Sequence, residues 1–343
     1  MRFVTALVAA ASLADAPAPV VTQQISGTTS RLQAVSPVSD LVAWASGTGG
    51  TYAITTDGGD HWRAGVVPGA DSLEFRDVAA LDSATAWLLA AGPGDGSRIY
   101  RTSDGGVTWT RQFTNADSAA FFDCLSFWDR SHGIAVSDGV RGHFPILLTD
   151  DGGAHWNLHT ADGPAADSGE GAFAASGTCL ITGDHGRAWI GTGASPTSGG
   201  RVLSSTDFGK TWVSTSTPIQ HGSTSTGITS LAFPDPMHGF AGGGDIGARA
   251  TQTVRIARTE DGGRTWKAVA APGFPGAVYG IAAVPGKAGA LVAVGPGGAA
   301  YSPDGGNVWV ALDSSSYWSA GIASAKAGWL VGPRGRIAKV SLP

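Results

Sequence analysis

The chain has 343 residues, a formal net charge of −5, 42% apolar and 14% charged residues, and 52 glycines. This balance supports a continuous core and excludes a disordered chain, and the glycine content suits an all-β protein with many tight turns. Five isolated lysines supply none of the clustered positive charge that a nucleic-acid partner requires.

The chain opens with Met1-Arg2, an apolar run from Phe3 to Leu13 and the small-residue pattern Ala14-Asp15-Ala16. It reads as a signal peptide over residues 1–16, leaving residues 17–343 as one domain in the periplasm or outside the cell. No later stretch approaches the ~20 apolar residues of a membrane span. Strand-like runs bounded by turn residues predict inner strands at 32–36, 74–80, 121–127, 170–176, 228–233, 278–284 and 318–323.

Between them one phrase recurs, an aspartate followed five positions later by a tryptophan: Asp57, Asp104, Asp151, Asp207, Asp261 and Asp304, at steps of 47, 47, 56, 54 and 43 residues. That period fits a four-stranded propeller blade, and seven inner strands make seven blades. In each phrase the carboxylate can accept backbone N–H groups of a hairpin turn, glycine supplies the positive φ, and the tryptophan starts the next strand, so these six aspartates are read as structural. The second glycine of the phrase is kept in every copy, whereas the first is replaced once, by Phe208. The seventh blade ends one strand short near Val340, and residues 18–27 can supply its missing outer strand.

Ser103 to Trp109, Thr206 to Trp212 and Glu260 to Trp266 resemble the Asp-box, or bacterial neuraminidase repeat. Together with the elements around Trp44, Trp87, Trp189 and Trp329, the phrases are similar to the photosystem II stability and assembly factor family in its non-photosynthetic bacterial branch. The resemblance implies a seven-bladed β-propeller that holds a partner polypeptide on one face, and an exportable chain points to an envelope partner.

Cys124 and Cys179 fall in consecutive blades and read as buried free thiols, although export permits a disulfide. Neither metal-ligand spacing nor a nucleotide-binding glycine motif occurs, so no metal or cofactor is expected. If the inner strands descend from an upper face, the hairpin phrases lie below. The upper loops then bring together Arg76, Asp123, Asp138, Arg141, Glu170, Asp245, Arg249 and Trp318 as candidate ligand-binding residues.

Two functions follow. One is a monomeric, non-catalytic scaffold for a protein or glycan ligand. The other is a glycoside hydrolase, sialidase-like or otherwise, with Glu170, Asp123 and Tyr279 as candidate catalytic groups. Arg76 can equally pair with Asp123 as a channel strut.

Overall fold

The computed structural model describes residues 18–197, 200–250 and 254–343; the leader read over residues 1–16 lies outside them. Seven four-stranded antiparallel sheets form a β-propeller. Their first strands, Leu32–Pro37, Phe75–Ala80, Phe122–Phe127, Leu180–Gly183, Thr226–Ala232, Gly280–Ala283 and Ser319–Ser324, contact one another around a central channel. Val20–Gln24 completes the seventh blade by pairing with Ile337–Ser341, so the first and last strands of the described chain are joined in one sheet.

The core lies between blades rather than within them. Seven buried apolar clusters occur among the described residues, one at each junction of neighbouring blades. Trp44, Trp87, Trp189 and Trp329 on the second strands are buried. Trp87 stacks on Phe127 at 3.9 Å and Trp189 on Phe233 at 4.0 Å. The hairpin tryptophans then meet these rings edge-on across the junctions: Trp62 meets Trp329, and Trp109 meets Trp44. Burying such large rings is the main gain in a chain with so few long aliphatic residues.

The hairpins themselves depend on a residue that inspection of the phrase overlooks. In the first copy the Thr55 hydroxyl donates to Asp57 at 2.9 Å and accepts the Gly59 N–H at 2.8 Å, while Asp57 accepts the His61 N–H at 2.9 Å. Thr102, Thr149, Ser205, Thr259 and Ser302 repeat this role two residues before their aspartates. The second glycine is kept because a Cβ on Gly59 would sit 2.2 Å from the Gln24 side chain, besides the positive φ. In the fourth copy Phe208 occupies the first position at φ 63°, its ring against Trp128.

The fourth blade departs from the sequence reading. Its inner strand is Leu180–Gly183, not residues 170–176. The segment from Gly171 to Cys179 is instead diverted across the channel. The Ser319 hydroxyl of the seventh blade donates to the Ser176 carbonyl at 2.9 Å, and Thr178 meets Ser230 of the fifth blade at 2.6 Å. Gly177 lies so close to the first two blades that an added Cβ would stand 2.3 Å from Asp77 and 3.1 Å from Ala34. The Phe-Ala-Ala run looks like a strand in sequence because its two alanines are buried in the diverted segment instead of a sheet. This diversion also corrects the free-thiol reading: it returns Cys179 beside Cys124, and the two form a disulfide with Cα atoms 6.0 Å apart.

Candidate functional site

On the face where blades connect, five side chains form a continuous ridge around half of the channel mouth. Glu74 accepts Arg76 at 2.8 and 3.1 Å and Arg31 at 3.3 and 3.4 Å. The Arg31 guanidinium lies 4.8 Å from the centre of the Trp318 ring, and Trp318 meets Tyr279 edge-on at 5.2 Å. The Tyr279 hydroxyl donates to the Ile246 carbonyl at 3.4 Å, and burial raises its pKa, an effect that nearby Arg249 offsets. Arg31, Glu74, Tyr279 and Trp318 each stand immediately before an inner strand, so the repeat projects them at the same height. Arg31 and Glu74 are absent from the candidates read in sequence; the signal for them was this shared register.

The remaining candidates do not converge. Arg76 makes its hydrogen bonds to Glu74, a carboxylate two residues away on the same face, while its charge still acts on Asp123 and lowers that carboxyl's pKa against the larger rise. Asp123 lies beside Asp138; burial and that neighbour push its carboxyl well above the usual range. Burial raises Asp138 to about 6, while the Asp123 side chain and the Ala172 N–H work against the rise. Both carboxyls thus favour their protonated forms, and Asp138 holds the channel segment through the Ala172 N–H.

Glu170 is buried and fully engaged. It accepts Arg201 Nε at 2.9 Å, a second contact from Arg201 Nη2, the Thr192 hydroxyl at 2.6 Å and the Asp167 N–H at 2.9 Å. A carboxylate so held cannot serve as acid, base or nucleophile without breaking a buried ion pair. Arg141 is drawn to Asp117 at 2.7 Å on the exposed surface. Asp245 accepts the Ser225 hydroxyl at 2.7 Å and the Gly247 N–H at 2.9 Å, a turn-forming role. Arg249 is exposed on the loop after the strand Gly239–Asp245.

A large concavity lies on the opposite face. A cavity of 1260 Å³ enters the channel from the hairpin side, walled by Val35, Val78, Leu125, Leu231, Ile281 and Ile322. Ser176, Gly177 and Thr178 close its inner end. The candidate acid Glu170 is not among its lining residues, and among the described residues no group of His, Cys, Asp and Glu could hold a metal ion.

The Asp123–Asp138 pair makes a pH prediction. Both carboxyls have folded pKa values above the unfolded one, so the fold favours their protonated forms. For Asp138 the stabilisation is fully present below about pH 3.8 and is lost as pH rises through about 6, and Asp123 acts in the same direction. The hairpin aspartates act in a separate window, since Asp57, Asp104, Asp151 and Asp261 are lowered to about 2 by hydrogen bonds from residues of their own turns. Their stabilisation is present above the unfolded value and is lost as pH falls toward 2. Asp138→Asn is expected to raise the denaturation midpoint at pH 7 and flatten the profile between pH 4 and 6. Denaturant titrations across that range check this; a variant less stable at pH 7 contradicts it.

No family model and no curated protein matches this sequence. Solved structures do. YCF48 bound to D1 peptide superposes with a TM-score of 0.67 at 16% identity, over 96% of this chain and 98% of that one. YCF48 from Cyanidioschyzon merolae gives 0.67 at 18%, over 94% and 99%. A GH74 xyloglucanase from Xanthomonas campestris gives 0.62 at 14%, over 93% of this chain and 53% of that one. At these identities the likeness establishes the propeller fold alone.

Proposed function

We propose that this protein is an exported, monomeric, non-catalytic scaffold that holds a partner polypeptide against the mouth formed by Arg31, Glu74, Arg76, Tyr279 and Trp318. The observation that carries this reading is the half-exposed Trp318–Tyr279 pair, flanked by Arg31 over the indole face. Trp, Tyr and Arg are the residues that dominate binding energy at protein interfaces, because they bury large areas at small entropic cost and retain a polar group for orientation. Glu74 fixes both arginines before any partner arrives, so little order is lost on binding. A peptide-bound structure among the similar propellers supports the same reading.

The internal engagement of Glu170 and the mutual pairing of Asp123 with Asp138 argue against the glycosidase alternative. Two carboxyls in hydrogen-bond contact leave no space for a scissile bond, which needs separations of about 5–9.5 Å. A protein ligand is favoured over a glycan because the aromatic pair is edge-on rather than a flat platform.

A displayed library of random dodecapeptides, selected on the intact protein, tests this. Enriched peptides are expected to bind with affinity lowered at least about tenfold by Trp318→Ala, with an unchanged melting temperature. Binding indifferent to Trp318→Ala, or turnover of fluorogenic glycosides that Glu170→Gln abolishes, contradicts it.

A further inference from the structure

The diverted segment from Gly171 to Cys179 is a plug. It leaves the fourth blade, meets the first, second, fifth and seventh blades, and separates the hairpin-face cavity from the opposite mouth. Its contacts with the far side of the ring are few: the Ser176 carbonyl to Ser319 and the close approach of Gly177 to Asp77 and Ala34. Ala172 is held through Asp138, whereas Ala175 donates only to Phe173 within the segment. The covalent anchor is the Cys124–Cys179 disulfide, and no free cysteine occurs in the chain.

Both cysteines are buried, but the cavity reaches their immediate neighbours, since Leu125 beside Cys124, and Thr178 and Leu180 on either side of Cys179, all line it. The bond itself is packed in the cluster between the third and fourth blades, one residue along the chain from the cavity wall.

We propose that residues 171–179 form a disulfide-clamped plug, and that a small dithiol reductant admitted through the hairpin-face cavity releases it and joins the two ends of the channel. In the reaction one reagent thiolate attacks a protein sulfur, giving a mixed disulfide and a thiolate on the other cysteine. The second reagent thiol then displaces the first cysteine and closes a cyclic disulfide. Two electrons and two protons pass to the protein, which ends with two thiols. The blades need not open, because six of the seven inter-blade clusters hold no residue of the plug, and the remaining one, between the third and fourth blades, holds only Ala172 and Cys179.

The test is hydrogen exchange by mass spectrometry on the full chain, oxidised and after dithiothreitol treatment under native conditions, with thiol labelling to count cysteines. Two labelled thiols are expected. Exchange of peptides covering 171–179 should accelerate about tenfold or more, while strands Ala86–Ala90 and Leu291–Gly295 keep their protection. The Cys124→Ala/Cys179→Ala double variant should show the same local pattern without reductant.

A bond that stays intact until the whole protein melts overturns the proposal. So does a reduced plug that remains protected, or acceleration spread evenly over all blades. A double variant that fails to fold overturns it too, because the bond is then a requirement of the ring and not a clamp on one segment.

Discussion

Deleting residues 18–27 is expected to leave a ring that no longer unfolds as one cooperative unit. Val20–Gln24 supplies the whole fourth strand of the seventh blade. Gln24 also accepts the indole N–H groups of Trp62 at 2.9 Å and Trp329 at 3.2 Å, so one side chain joins the first blade to the last. Gln23 adds a hydrogen bond to the Tyr317 hydroxyl at 3.1 Å.

Without these residues two indole N–H groups lose their acceptor, costing about 2–6 kcal/mol together. Ile337–Ser341 also becomes an open sheet edge, a template for association. A typical domain is stable by only about 5–15 kcal/mol, so the loss is comparable to the whole. Thermal unfolding with light scattering should show a broad, low transition and aggregation. Gln24→Ala alone should cost about 2–6 kcal/mol with cooperativity kept. A truncated chain that melts like the intact one would show that closure contributes nothing to the ring.

Arg201→Ala should rank among the most damaging single side-chain changes, at about 3–5 kcal/mol, because it strands the buried Glu170 carboxylate. The Glu170 side chain is 0% exposed, and the Arg201 side chain 17%. What remains for the carboxylate, the Thr192 hydroxyl and the Asp167 N–H, carries no formal charge. Glu170→Gln should cost less, since no buried charge is stranded and the amide oxygen still accepts the donors on one side, although its NH2 then faces the donors on the other. Denaturant midpoints at pH 7 give the comparison. Equal, near-zero losses for both variants would mean the pair is solvated and Glu170 is free to act as an acid or base.

The ring itself was legible in sequence because every blade carries at least one local mark: the Asp-to-Trp hairpin in the first six, and a buried tryptophan on the second strand in the first, second, fourth and seventh. Both signals are local, and so is the deficit of one strand that residues 18–27 fill. The fourth inner strand was misplaced because Ala174 and Ala175 are buried for a reason unrelated to a sheet: they belong to the segment diverted across the channel, while Phe173 packs beside Gly193 and Gly227. Pattern alone cannot distinguish those two destinations.

The disulfide followed the same blind spot, since only the diverted path returns Cys179 to Cys124. At the mouth, Trp318, Tyr279 and Arg76 were found by strand direction. Glu74 and Arg31 were missed because each looks like an ordinary surface charge until the blades are superimposed. Glu170 looked reactive because turn chemistry did not explain it, yet its partner Arg201 is 31 residues away in sequence.

The most direct test of the proposed scaffold is a hydrogen-exchange footprint of the intact protein with a selected dodecapeptide bound. Protection is expected at the segments around Arg31, Glu74–Arg76, Tyr279 and Trp318, with the hairpin face unchanged. Protection confined to residues 233–238 and 284–289 at the cavity rim would place binding on the wrong face and contradict the proposed function.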